Sequence, residues 1–339
     1  MTLLFALAFA RYAPAQGATS VDLVGVGGTF PFADLHQVVR RIRNIESSNG
    51  GVQFHYLPRG SAEGISNVSS GSTDFGGSDV PMNDQELAKA PTKLLLLPSV
   101  VGGVVPIYNL PGIRQELRFT SEVLAGIYLG TIRNWNDPAM AAINPGVSLP
   151  HQQIEVFYRS DPSGTSYIWT EFLSKVSGKW KSQVGYGITV KWPVGEPSRH
   201  GGGNLARSVQ KTPNSIGYIE LTLALEHDLQ FGSIRNSAGN YIKAHLKSLS
   251  AAAASKAKSI RGEDFRVSLT NASGEFSYPV ASFTWFLVPK HGIVPAKSAA
   301  LRSFLRWMLT DGQGFAEGLG CAKLPEELSR KELDIVGRL

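Results

Sequence analysis

The chain has 339 residues, 42% of them hydrophobic, with 36 glycines and 19 prolines, enough to bury a sizeable core and build more than one lobe. Lysine and arginine total 33 against 27 acids, a formal +6 that suits an anionic partner. No run approaches the roughly 20 apolar residues that cross a bilayer, so a polytopic membrane protein is not expected.

Leu3-Leu-Phe-Ala-Leu-Ala-Phe-Ala10, followed by Ala13-Pro-Ala15, reads as a short secretory segment with a small-x-small cleavage site, so residues 1–15 are expected to direct export. The residues before it carry no lysine or arginine, a departure from the usual signal. Its removal takes away Arg11 and no acid, leaving 32 − 27 = +5. Cys321 is the one cysteine, so no intramolecular disulfide is expected, nor a lipid-modified cysteine just after the signal. The expectation is a protein free in the periplasm.

Val21-Asp-Leu-Val24 reads as a first strand, running into Gly25-Val-Gly-Gly-Thr-Phe-Pro31 and an amphipathic helix with Val38, Val39 and Ile42. A dinucleotide fingerprint is not met, because its third glycine would fall at Phe30. The turn instead offers the backbone N–H and hydroxyl of Thr29 to an anion. Arg40-Arg41-Ile-Arg43 does not argue for nucleic acid: three arginines on one helix make an ordinary solvated face, and no zinc-finger or RNA-binding signature accompanies them.

Val52-Gln-Phe-His-Tyr56 is a second strand, and Gly60-Ser61-Ala-Glu63-Gly64-Ile65 opens a helix with Ser61 as its expected N-cap. Thr73-Asp-Phe-Gly-Gly-Ser-Asp79 ends a third strand in an acid. That acid either caps the helix of Glu86 and Leu87 or faces a pocket.

Farther on, Ile154-Glu-Val-Phe-Tyr158 alternates like a strand, and Tyr167-Ile-Trp-Thr-Glu-Phe-Leu173 reads as a helix. Between them lies Arg159-Ser-Asp-Pro-Ser-Gly-Thr-Ser166, a tight turn shaped by Pro162 and Gly164. Free backbone N–H groups, hydroxyls and the positive end of a helix dipole would meet there, beside an arginine arriving from the strand. Such a point favours a tetrahedral oxyanion. The plainer alternative is that Ser163 to Ser166 cap a helix and Arg159 is a surface charge. Open α/β sheets bind ligands at strand-to-turn junctions of this kind.

Thr120-Ser-Glu-Val-Leu-Ala-Gly-Ile-Tyr-Leu129 is a capped helix, and Ser215-Ile-Gly-Tyr-Ile219 a strand. His200-Gly-Gly-Gly203 looks like the oxyanion loop of lipases, but no G-x-S-x-G elbow occurs, so a surface loop is expected. The alanine, lysine and serine run from Ser248 to Ser259 reads as an exposed helix. Val280 to Val288 is apolar enough for a long buried strand, and Leu301, Phe304, Leu305 and Met308 have the spacing of a core-facing helix. The seven histidines show no paired spacing, so no metal site is expected.

Six segments in order, namely Gly25 to Pro31, Thr73 to Asp79, Pro98 to Val105, Ile127 to Trp135, Arg159 to Thr165 and Thr189 to Gly195, resemble the phosphate-binding proteins of Pst-type ABC transporters. The likeness runs from about residue 22 to the C-terminal helices. It implies an α/β, two-lobed periplasmic binding protein of type II with two crossing hinge strands. Lobe 1 would hold residues 21–102 and 279–339, and lobe 2 residues 103–278, with Pro98 to Ile107 and Val280 to Val288 as the crossings. Carried over motif by motif, the ligand positions fall on Thr29, Phe30, Ser61, Asp79, Arg159, Ser163, Gly164 and Thr165. The implied partners are inorganic phosphate and the membrane permease subunits of an importer, with no cofactor, no nucleic acid and a monomeric state.

Asp79 bears on selectivity, because a carboxylate repels a bound dianion unless the ligand carries a proton to share. Phosphate and arsenate carry one near neutral pH and sulfate does not. Arg159 is expected both to donate to the anion and to neutralise Asp79. Glu63 departs from the small residues usual after the serine of that turn, and it is expected to point outward, where a helix N-terminus favours an acid. Three alternatives stay open: another oxyanion such as arsenate or sulfate, a phosphate sensor without transport, and a hydrolase using Ser163, for which no neighbouring base is evident.

Overall fold

The computed structural model describes residues 21–28 and 52–339. Expectations for the signal segment 1–15, for Thr29 and Phe30, and for the helix of Val38, Val39 and Ile42 lie outside the described residues. The strands, in chain order, are β1 (Val21–Gly27), β2 (Val52–Pro58), β3 (Phe75–Ser78), β4 (Leu94–Asn109), β5 (Arg118–Phe119) and β6 (Glu155–Arg159). β7 (Glu196–Ser198), β8 (Ser215–Glu220), β9 (Ser233–Arg235), β10 (Tyr241–Ile242) and β11 (Ala281–Pro289) follow.

Eight of them form one sheet in the order β2-β1-β3-β11-β4-β8-β6-β7, and β10-β9-β5 make a small second one. At one end β1 runs parallel to β2 and β3; at the other β6 runs parallel to β8 and β7. Two long antiparallel strands join the ends. β4 pairs with β11 from Leu94 to Gly103 and then with β8 from Val104 to Asn109. Nearly every residue of β4 and β11 is buried, as their unbroken apolar runs predict for strands covered on both faces. At the handover Gly103 has no side chain because Leu249 and Tyr278 occupy its space: a Cβ there would lie 2.8 Å from Leu249 Cδ2.

The β4–β11 register slips at Ser99, so that Thr284 faces Val100 while Trp285 faces Pro98. Pro98 has no N–H to give to the ladder, and a bulge is where a central strand tolerates it. The Ser99 hydroxyl donates to Thr284 O at 3.0 Å. On the other side β11 pairs Trp285 with Ser78 of β3, which brings Thr284 beside Asp79 at the cleft.

Helices cover the sheet. α1 (Ser61–Ser69) packs on β1 and β3, and α2 (Gly164–Val176) follows β6. α3 (Gly202–Lys211) lies on β8, and α4 (Leu246–Ala257) on β4 and β11. α4 is not the exposed segment expected, since Leu249, Ala252, Ala253 and Ala257 are buried. Its small alanines permit the close approach that Gly103 matches. α5 (Pro295–Leu309) buries Leu301, Leu305 and Met308 and sets Phe304 4.6 Å from the Phe54 ring and 5.4 Å from Phe286. α6 (Glu326–Val336) packs on α5.

Candidate anion-binding site

The carboxyl ends of β1, β2 and β3 build one wall of a cleft. Gly27 faces Gly77 across β1 and β3 so closely that a Cβ on Gly27 would overlap the Gly77 carbonyl, and Gly28 N–H donates to Gly77 O at 2.9 Å. The turn after β2 folds back, with Arg59 and Gly60 N–H both reaching Gly27 O at 3.0 and 2.8 Å. Gly60 takes φ +97° as the residue before α1, a conformation open to glycine at little cost. Ser61 is therefore the first helical residue rather than the expected N-cap, and its hydroxyl accepts the Asp79 N–H at 3.0 Å. That bond draws the third strand end onto the second.

Asp79 does not cap the next helix. Asn83 does, in a capping box with Glu86, so the Asp79 side chain is left to the cleft. It is 3% exposed, and its Oδ1 accepts the Thr284 hydroxyl at 2.6 Å. Burial raises its pKa to about 7. The Thr284 bond opposes that rise, Glu220 adds to it, and Ser61 and then Arg159 oppose it by smaller amounts.

The opposite wall is the β6-to-α2 turn. Ser163 is the N-cap of α2, accepting Ser166 N–H at 3.3 Å, so the capping alternative is met at that residue within the wall of the cleft. Behind it the Trp169 ring stacks on Tyr218 at 5.4 Å, and the Tyr218 hydroxyl meets Ser166 Oγ at 2.7 Å and Arg159 N–H at 3.2 Å. This packing fixes the α2 N-terminus, which points its free N–H groups into the cleft. Gly164 is pressed against the first wall: a Cβ there would lie 2.6 Å from Ser61 Oγ and 2.8 Å from Asp79 Cβ.

Arg159 corrects one expectation. Its guanidinium is not the main partner of Asp79, because Nε and Nη2 grip both oxygens of Asp161 at 2.8 and 2.5 Å while Nη1 lies 3.9 Å from Glu220. An acid two residues along the same turn reaches the fork directly, whereas Asp79 belongs to the far wall. Burial opposes the charge on both groups, yet the pair outweighs it: Asp161 stays below the usual carboxylate range and Arg159 holds its proton more firmly than usual. The Thr165 hydroxyl donates to Glu220 Oε1 at 2.5 Å.

Between the walls is a cavity of about 370 Å³ lined by Ser61, Asp79, Arg159, Ser163, Gly164 and Thr165, with Arg59, Glu63, Asp161, His200 and Gly201 among its other walls. Six of the eight sequence-nominated positions thus converge, and Thr29 and Phe30 lie outside the described residues. Glu63 is exposed yet borders the cavity. His200-Gly-Gly-Gly203 is more than a surface loop: His200 and Gly201 line the cavity, and Gly201 N–H donates to Asp161 at 3.2 Å. Asp161, Glu220 and Thr284 were missed. Glu220 ends an apolar strand in an acid, the same signal that marked Asp79, while Thr284 lies inside an apolar strand and carries no signal. Among the described residues no group of three or more His, Cys, Asp or Glu side chains is placed to hold a metal.

The arrangement offers a charged fork, helix-terminal N–H groups and hydroxyls to an anion, and one buried acid to its proton. Residues 13–312 match the model of the PBP superfamily domain. The phosphate-binding protein PstS of Pasteurella multocida is 37% identical over 330 residues, covering 97% of this chain and 93% of its own length. That of Xylella fastidiosa is 36% identical over 318 residues, covering 94% and 85%. The solved phosphate-binding protein from Stenotrophomonas maltophilia shares the fold, with a TM-score of 0.65 at 19% identity over 93% of each chain. With sequence matches of this extent, the chain belongs to the PstS family of phosphate-binding proteins within the PBP superfamily.

Proposed function

We propose that the cleft captures inorganic phosphate and delivers it to the membrane permease subunits of an ABC importer. The observation that carries this reading is the meeting of buried Asp79 with the Arg159 fork and the α2 N-terminus in one small cavity. The ligand would take charge-assisted bonds from Arg159, backbone N–H bonds from Gly164 and Thr165, and hydroxyl contacts from Ser61 and Ser163, with Thr29 and Phe30 completing the set. Each charge-assisted bond is worth about 1.5–3 kcal/mol net, enough together to replace the water around a doubly charged anion.

Asp79 sets the selectivity. One proton must lie between its carboxyl and the nearest ligand oxygen, and phosphate brings that proton when Asp79 is ionised. Sulfate brings none, so above pH 7 it meets an unshared like charge. Below that point Asp79 itself carries the proton and can donate it, so sulfate exclusion should weaken in acid. Arsenate, which also carries a proton, is the second reading that Asp79 favours.

The lobes would divide at residues 102/103 and 278/279, and the switch of β4 from β11 to β8 at Gly103 and Val104 supports that division. Closing them needs few backbone changes when two strands make the connection. We place the protein in the periplasm, where its family works. Among the described residues no helix is long and apolar enough to cross a membrane. Binding without turnover fits Ser163, whose Oγ is engaged in capping α2. Isothermal titration at pH 8.5 should give phosphate binding, arsenate competing, and sulfate weaker by roughly 10⁴-fold. Sulfate binding as tightly as phosphate would sink the reading.

A further inference from the structure

Resting on that reading, we infer that Arg59 is the entry residue of the cleft: it draws the phosphate dianion in from solvent without holding it in the closed site.

The interior is poorly equipped to attract an anion from a distance. Asp79, Asp161 and Glu220 stand against one buried guanidinium, Arg159, so among the described residues the acids there outnumber the bases by two whenever Asp79 is ionised. Glu220 sits behind Thr165 rather than in the cavity wall, but its charge still adds to that excess. The Arg159 fork is already closed on Asp161. The N-termini of α1 and α2 carry roughly half a positive charge each, and their field fades within about one turn. A dianion still outside the cleft therefore gains little from the groups that will bind it, and its attraction must come from the rim.

Arg59 occupies that rim. It lies in the turn between β2 and α1, two residues before Ser61, and lines the cavity while remaining exposed. Its backbone is pinned, with its N–H donating to Gly27 O at 3.0 Å and the following Gly60 held at φ +97°. The same turn meets the opposite wall, where a Cβ on Gly60 would lie 3.8 Å from Pro162 O. Arg59 thus rides on the seam between the walls. No acid among the described residues pairs with it, in contrast to Arg159, so its charge is presented whole to the solvent. A charge at a cleft mouth acts chiefly on the association rate and its salt dependence. Glu63 and His200 are also exposed and border the cavity, one from each wall. His200 adds positive charge only when protonated, and Glu63 opposes Arg59.

That opposition supplies a paired test. Stopped-flow binding of inorganic phosphate at pH 8.5 and about 10 mM ionic strength, where the screening length is about 30 Å, should show Arg59→Gln associating about three- to tenfold more slowly. Its dissociation rate should stay within about twofold of that of the unaltered protein. Arg59→Lys should keep the unaltered association rate, and Glu63→Gln should associate faster. At about 1 M salt, with the screening length near about 3 Å, all four proteins should converge. An association rate untouched by Arg59→Gln at low salt would overturn the inference. So would a loss confined to the dissociation rate, which would make Arg59 a ligand of the closed site. Failure of the unaltered protein to bind phosphate would overturn the transport reading as well, whereas binding with an unmoved association rate overturns only the role of Arg59.

Discussion

Asp79 and Asp161 stand on opposite walls of one cleft and behave as opposite kinds of acid. Asp161 is gripped by both arms of Arg159 and held below the usual carboxylate range, so it remains an anion that orients the arginine. Asp79 receives one hydroxyl from Thr284 and has its own backbone N–H tied to Ser61, and burial lifts its carboxyl to about 7. One acid is committed to structure and the other is poised to exchange a proton. Two identical groups pushed apart by their surroundings are how a binding site separates those tasks.

Arg159→Met should break the contrast most severely. It takes the fork from partly buried Asp161 and the nearest cation from buried Glu220, and breaking a buried pair costs up to about 3–5 kcal/mol. Phosphate binding should fall by at least about 100-fold and the melting temperature should drop with it. Retention of both would mean that the fork neither holds the wall nor meets the ligand.

Gly164→Ala separates the walls instead. Its Cβ would press on Ser61 and Asp79 only while the walls are together, so opening relieves the clash. Overpacking of about 1–3 kcal/mol should weaken phosphate roughly 5- to 150-fold and leave the ligand-free melting temperature nearly unchanged. An affinity equal to that of the unaltered protein would show that this juxtaposition does not form in the bound state.

Glu332 provides a control, because it is a buried acid with no hydrogen-bond partner for either oxygen and lies outside the cavity. Burial holds its carboxyl well above the ordinary value. The folded state therefore binds more protons than the unfolded one above the ordinary glutamate range, and stability declines as pH rises from there. Glu332→Gln should gain about 1–3 kcal/mol at pH 8, shrinking toward pH 4, with phosphate affinity unmoved. A constant gain across that range would mean that this carboxyl titrates alike in the folded and unfolded protein, so that burial does not raise it.

The sequence carried those parts of the site that repeat a local pattern. Strand, glycine turn and helix placed Ser61, Asp79 and Arg159 to Thr165, because alternation, glycine and hydroxyl caps act within a few residues. The pairing of Arg159 with Asp161 was equally local but lost to the expectation of a cross-cleft pair with Asp79. Thr284 was illegible, since it reaches Asp79 only through the pairing of β11 with β3, which sets Trp285 opposite Ser78. Gly202 was illegible too, its purpose being to leave space for Glu220, which comes from another element. Side-chain direction across strands depends on register, and register is a tertiary fact.

Sulfate competition against bound phosphate, measured for the unaltered protein and for Asp79→Asn at pH 8.5, bears on the centre of this mechanism. The unaltered protein should hold phosphate against a large excess of sulfate at pH 8.5 and less well at pH 5.5, where Asp79 carries its own proton. Asp79→Asn should let sulfate in at both pH values. Equal exclusion of sulfate by the two proteins would contradict a shared proton at Asp79 as the basis of recognition.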